Sequence, residues 1–200
     1  MKYLAIDFEG SHKEPRRGCP VQLGVAVMAD GEVLASAEWL IKPPRHYKSG
    51  KPTREVDAYA LAVSGLTLEK IEAEGLDAYE VCCQLNKFVK ENEAKSLPIL
   101  AYSFTYDAEC YENLLYEGGD YDFTIKEYVG LPPILGAKWI CVRQTARLLL
   151  PGQLVHYSLD DVAGLLGFSR TTEAHGALED AILAGKVYHA LVSPKMAVPA

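Results

Sequence analysis

The chain has 200 residues, 49% of them apolar and 24% charged, with a formal charge of −7. That balance belongs to a folded globular protein, excludes disordered and fibrous classes, and argues against a chain that coats nucleic acid non-specifically, because such binding rests on Lys and Arg. The five cysteines, Cys19, Cys82, Cys83, Cys110 and Cys141, are odd in number and lack Cys-x-x-Cys spacing, so neither a disulfide framework nor a zinc ribbon is expected. No apolar run approaches the roughly 18–20 residues of a bilayer span, and no export signal is read. One cytoplasmic domain over residues 1–200 is the expectation.

In chain order, Tyr3-Leu4-Ala5-Ile6-Asp7-Phe8-Glu9 reads as a strand buried on both faces that ends in two acids. Successive strand side chains alternate, so Asp7 and Glu9 share one side and Phe8 takes the other. Residues 10–20 read as a loop, residues 21–27 as a second strand, Asp30-Gly31 as the turn, and residues 32–41 as a third strand. Residues 42–54 form a loop with five cations, Lys42, Arg45, Lys48, Lys51 and Arg54, and no acid. It reads either as solvated surface or as a phosphate-contacting flap. Thr67 opens a short helix that Gly75 ends, and Asp77 with Glu80 gives a capping box for a longer helix carrying Val81, Leu85, Phe88 and Val89 inward. Residues 97–101 read as a short strand, and Thr105 caps a helix from about Tyr106 with Asp107 in its first turn. Residues 139–142 give a fifth strand and an amphipathic run follows to Leu150. Ser158 and Asp161 cap a helix to Leu166, and a last helix spans about 176–191. Strands alternating with helices predict an α/β fold, a mixed five-stranded sheet flanked by helices.

Three separated segments present acids where elements begin or end: Asp7 with Glu9, then Asp107, then Asp180 with His175. Five residues separate His175 from Asp180, about 140° on one helix, so they share a site only if His175 precedes the helix. Clustered carboxylates in an apolar setting either take up protons or capture a cation.

This ordered set resembles the DEDDh group of 3′→5′ exonucleases, within the RNase H-like superfamily. Ile6-Asp7-Phe8-Glu9 matches the first motif, Tyr106-Asp107 after the 99–101 stretch the second, and His175-Gly176-Ala177-Leu178-Glu179-Asp180 the third. Val63-Ser64-Gly65-Leu66-Thr67 and Ser158-Leu159-Asp160-Asp161 also look like the family, so the similarity runs through nearly the whole chain. The tyrosine branch would carry Tyr four residues before Asp180, where this chain has Gly176. Two positions depart from the pattern. Gly10 stands where members commonly carry Thr, and Tyr102-Ser103 where they carry His-Asn; both shape the pocket for the terminal nucleotide.

The resemblance implies an RNase H-like (DEDD exonuclease) fold and hydrolysis of phosphodiester bonds at 3′ ends of single-stranded DNA or RNA, releasing nucleoside 5′-monophosphates. It implies Asp7, Glu9, Asp107 and Asp180 as ligands of two Mg²⁺ or Mn²⁺ ions. Asp7 would bridge both ions, Glu9 and Asp180 would complete the nucleophile-side ion, and Asp107 would hold the leaving-group ion. Hard oxygen donors suit these cations, and two ions about 3.5–4 Å apart neutralise phosphate, activate water and stabilise the leaving oxygen. His175 would accept the proton of the attacking water, as an imidazole with an ordinary pKa near 6.5 can. Arg45, Lys48, Lys51, Arg54, Phe8 and Tyr106 are candidate nucleic-acid contacts. A homodimer is left open. The competing readings are a catalytically silent RNase H-like binding or scaffold module and a phosphohydrolase of small phosphoesters.

Overall fold

The computed structural model describes residues 1–46, 49–122, 127–171 and 175–193. Strand β1 (Lys2–Gly10) lies at the centre of the sheet, flanked by β2 (Pro20–Ala29) and by β4 (Ile99–Ala101). It runs antiparallel to β2, which turns through Asp30 and Gly31, both at positive φ, into the antiparallel edge strand β3 (Glu32–Leu40). Strand β4 is parallel to β1, and β7 (Trp139–Cys141) is parallel to β4, which gives the order β3-β2-β1-β4-β7. The mixed five-stranded sheet read from the sequence is therefore the one observed. Strand β3 stops one residue short of the expected end; Ile41, whose N–H still reaches the Val21 carbonyl at 2.8 Å, also bridges Leu76.

The alternation along β1 divides two packing layers. Leu4, Ile6 and Phe8 face helices α3 (Ala78–Glu91) and α4 (Phe104–Glu117), meeting Val81, Leu85, Leu114 and Leu115. Tyr3 and Ala5 face the other layer, built from α5 (Val142–Leu149), α6 (Leu159–Leu165) and α7 (Ala177–Val192). Each fully buried Leu or Ile stabilises by about 1.5–3 kcal/mol, so the doubly covered β1 anchors the sheet while half-exposed β3 contributes less. Both expected capping boxes form, Asp77 with Glu80 at α3 and Ser158 with Asp161 at α6, and Thr67 caps α2 (Leu68–Glu74).

Three elements differ from the sequence reading. Helix α4 begins at Phe104 rather than near Tyr106, because the Ser103 carbonyl accepts from the backbone N–H of both Tyr106 and Asp107. A six-residue helix α1 (Ala58–Val63), capped by Asp57, and a hairpin of β5 (Asp120–Asp122) and β6 (Glu127–Val129) were not foreseen. Runs of three to six residues are too short for periodicity to register.

The last helix reaches the sheet through one glycine. Gly24 pairs with Asp7 across the β1–β2 ladder, and a Cβ there would overlap the backbone of Ala177 and Leu178. Only a residue without a side chain lets the first turn of α7 lie directly over the strand that carries the acids. Gln22 and Glu38 then accept from the N–H groups of Ala177 and Leu178, so acceptors from β2 and β3 cap a helix whose own N-cap residue is Gly176.

Candidate active site

The site lies at the carboxyl ends of the parallel strands, the usual ligand position in an open α/β sheet. Asp7 and Glu9, both partly exposed, project from the end of β1. Asp107, 2% exposed on the first turn of α4, accepts a 3.1 Å hydrogen bond from the backbone N–H of Phe8, which ties the helix to the strand between the two acids. Asp180, 5% exposed, sits on the first turn of α7. His175 precedes that helix, where its N–H reaches the Val63 carbonyl, and its Nδ1 lies 3.5 Å from Asp180 Oδ2. Glu9, His175 and Asp180 each offer a ligand atom, and these atoms lie within 4.8 Å of one another.

The electrostatics follow from this crowding. Burial pushes the Asp7 carboxyl well above the ordinary range, and the charges of Asp107, Glu9 and Asp180 push it further. Burial also raises Asp107, to about 8, against the opposing hydrogen bond from Phe8. Glu9 is raised by burial and held back by the Ser64 hydroxyl, which donates to its Oε2 at 2.6 Å. All three shifts come first from burial and then from the neighbouring carboxylates, and each favours a proton or a captured cation. The donor set is oxygen with one imidazole and no thiolate, which fits a hard divalent ion.

Two residues of the site received no role from the sequence. Ser64 lies in the 63–67 stretch that looks like the family, but its contact with Glu9 comes only through the fold. Arg170 matters more: its Nε donates to Asp180 Oδ1 at 2.6 Å and its Nη2 to Oδ2 at 2.8 Å, while Nη1 holds Asp160 and Nη2 lies 3.3 Å from His175 Nδ1. The available signal was a single cation in the acid-containing stretch between α6 and His175.

The candidate nucleic-acid contacts fare unevenly. Phe8 is corrected: at 2% exposure it packs among Leu4, Ile6 and Leu114, because alternation turns it away from Asp7. Tyr106 is partly exposed and lines a cavity of about 220 Å³ beside Glu9, with Lys13, Tyr59 and Val63. Its hydroxyl occupies the space that a Cβ on Gly10 would need, so the departure at Gly10 is matched by Tyr106. In the basic loop, Arg45 is ion-paired with Glu72, and Arg54 reaches the buried carboxylate of Glu117 at 3.5 Å and the Arg16 carbonyl at 3.1 Å. The acids missing from the loop itself are thus supplied by α2 and α4. Lys51 is exposed, and Lys48 lies outside the described residues.

Among the described residues no helix is long and apolar enough to cross a membrane. No family model and no curated protein matches the chain. Solved structures do. The nuclease domain of 3'hExo, a DEDDh family member bound to rAMP, superposes with a TM-score of 0.70 at 16% identity, over 94% of this chain and 90% of that one. A 3'-exonuclease in 3'-end specific recognition of a histone mRNA stem-loop gives 0.68 at 12% identity, over 94% and 80%. E. coli Exonuclease I in complex with a dT13 oligonucleotide gives 0.64 at 15% identity, and there the 92% of this chain that aligns spans 39% of the larger protein. The chain therefore has the fold of the DEDDh 3′ exonucleases, the RNase H-like architecture that its three acidic motifs led us to expect.

Proposed function

We propose that the protein is a divalent-metal-dependent 3′→5′ exonuclease that hydrolyses phosphodiester bonds at the 3′ ends of single-stranded DNA or RNA and releases nucleoside 5′-monophosphates. The observation that carries this reading is the meeting of Glu9, His175 and Asp180 within 4.8 Å, beside Asp7 and Asp107 whose carboxyls are raised by burial and mutual charge. Asp7, Glu9, Asp107 and Asp180 would hold two ions, Mg²⁺ or Mn²⁺. When bound, these would neutralise the phosphate and lower the charge developing on the reacting oxygens.

The remaining work falls to the chain. His175, whose Nδ1 lies 3.5 Å from Asp180 Oδ2, would accept the proton of the attacking water on its imidazole. The water oxygen bonds to phosphorus, the bond from phosphorus to the 3′-oxygen breaks, and that oxygen takes a proton from solvent to leave a new 3′-hydroxyl. Ser64 fixes the rotamer of Glu9. The cavity between Gly10, Tyr59, Val63 and Tyr106 would receive the terminal nucleoside, and Lys13 in its lining supplies local positive charge in a chain of net −7. A reducing cytoplasm suits the five free thiols.

One observation favours the silent-module reading instead: Arg170 holds both oxygens of Asp180. A panel of single-stranded DNA, single-stranded RNA, mismatched duplex, short oligoribonucleotides and a nucleotide monophosphate ester, with Mg²⁺ or Mn²⁺, separates the readings. Mononucleotide release from an oligonucleotide, abolished in Asp7→Ala, supports the exonuclease. Hydrolysis of the small ester alone, or of nothing, refutes it.

A further inference from the structure

We propose that Arg170 is a resident counter-ion of the acid cluster, which a divalent ion must displace from Asp180, and that Asp160 keeps the displaced guanidinium at the site. This rests on the reading of Asp180 as a metal ligand. The guanidinium covers both oxygens of that carboxylate, at 2.6 and 2.8 Å, with side chains only 9% and 7% exposed. A fork-to-fork pair of this kind fixes geometry as well as charge. A divalent ion on either oxygen would stand a few ångströms from a permanent cation, in a partly dry pocket where like charges repel strongly. Both cannot hold Asp180 at once.

The arginine has somewhere to go. Its Nη1 already bonds Asp160, whose side chain is 57% exposed on the first turn of α6, and Arg170 itself lies in irregular chain between α6 and α7. Letting go of Asp180 while keeping Asp160 needs only side-chain rotation. Before the exchange, the guanidinium offsets the repulsion among Asp7, Glu9 and Asp180, so the cluster folds without a metal. After it, the same fork stands next to His175, whose Nδ1 it approaches to 3.3 Å. A residue that merely propped Asp180 in place for the ion would have the opposite effect on affinity, and this difference can be measured.

The test uses the whole chain and Mn²⁺ binding by calorimetry, with Mg²⁺ titrations followed on the Arg170 Nε–H resonance. If the paired state outweighs the open state by about ten to one, Arg170→Met binds Mn²⁺ about tenfold tighter than wild type. Arg170→Lys, which keeps the charge and loses the fork, falls between. In wild type the Nε–H signal moves in step with Mg²⁺ occupancy. Asp160→Ala weakens Mn²⁺ binding about threefold or more at 0.5 M KCl, where charge at a distance is screened and only the lost acceptor remains. Unchanged or weaker binding in Arg170→Met, or an Nε–H signal unmoved at Mg²⁺ saturation, overturns the exchange, and the second readout stands even if that variant fails to fold. Unchanged binding in Asp160→Ala removes Asp160 from it. Absence of Mn²⁺ uptake by wild type would sink the exonuclease reading as well, whereas normal uptake with an indifferent Arg170→Met sinks this inference alone.

Discussion

Asp107→Asn isolates the electrostatic strain that the fold builds into its acid cluster. Asp107 is 2% exposed, and burial carries its carboxyl from 3.8 to about 8. Between those values the unfolded chain has released this proton and the folded chain retains it. The folded state therefore binds more protons, and its stability falls as pH rises from about 4 to about 8. The interval from 3.8 to about 8, at 1.36 kcal/mol per pH unit, sets a ceiling of about 6 kcal/mol. Asp7 and Glu9 share the same protons and charge, and buried sites behave as if the dielectric were nearer 20 than 4, so about 2–3 kcal/mol is expected at pH 8. Asparagine keeps an oxygen for the Phe8 N–H at 3.1 Å and carries no charge. Urea unfolding in EDTA should therefore find the variant about 2–3 kcal/mol more stable than wild type at pH 8, and within about 0.5 kcal/mol of it at pH 4. Equal differences at both pH values, or a less stable variant at pH 8, would refute the reasoning.

His175→Ala should lower kcat roughly 10²–10⁴-fold while Mn²⁺ uptake persists, and rates within threefold of wild type would remove the imidazole from the chemistry. Gly24→Ala should cost about 1–3 kcal/mol by overpacking and depress activity, because the added methyl lifts the first turn of α7 and with it Asp180; an unchanged urea midpoint would contradict this. Arg54→Met takes the guanidinium away from Glu117, whose side chain is 6% exposed and whose carboxyl is raised to about 7. Arg54 is 30% exposed, so the loss is put at about 1–3 kcal/mol at pH 8 and less at pH 5, where Glu117 carries its own proton. A pH-independent loss would show that packing, not charge, is what Arg54 provides.

What could be read from the sequence was whatever chain-local chemistry decides. The apolar run into Asp7 and Glu9 marked the central strand, and Asp77 with Glu80 and Ser158 with Asp161 marked helix starts. The 140° argument placed His175 ahead of its helix, where it lies. What could not be read depends on neighbours distant in sequence. Thr105 is a good cap by type, yet the helix starts earlier, where Ser103 also takes a hydrogen bond from Arg143. The cations of the basic loop looked unpartnered because Glu72 and Glu117 sit on other elements. Arg170 carries no motif of its own and becomes part of the site only when α6 and α7 bring Asp160 and Asp180 to opposite edges of one guanidinium.

The central claim is that the acids and His175 at the carboxyl end of β1 cleave nucleic acid from its 3′ terminus. A single-stranded oligonucleotide carrying label at its 5′ end, incubated with the protein and Mg²⁺, tests it most directly. The account expects a ladder of labelled products shortened one nucleotide at a time, accompanied by nucleoside 5′-monophosphates and absent with EDTA or in Asp7→Ala. Immediate release of labelled mononucleotide, internal cuts, or full-length strand after prolonged incubation would contradict it.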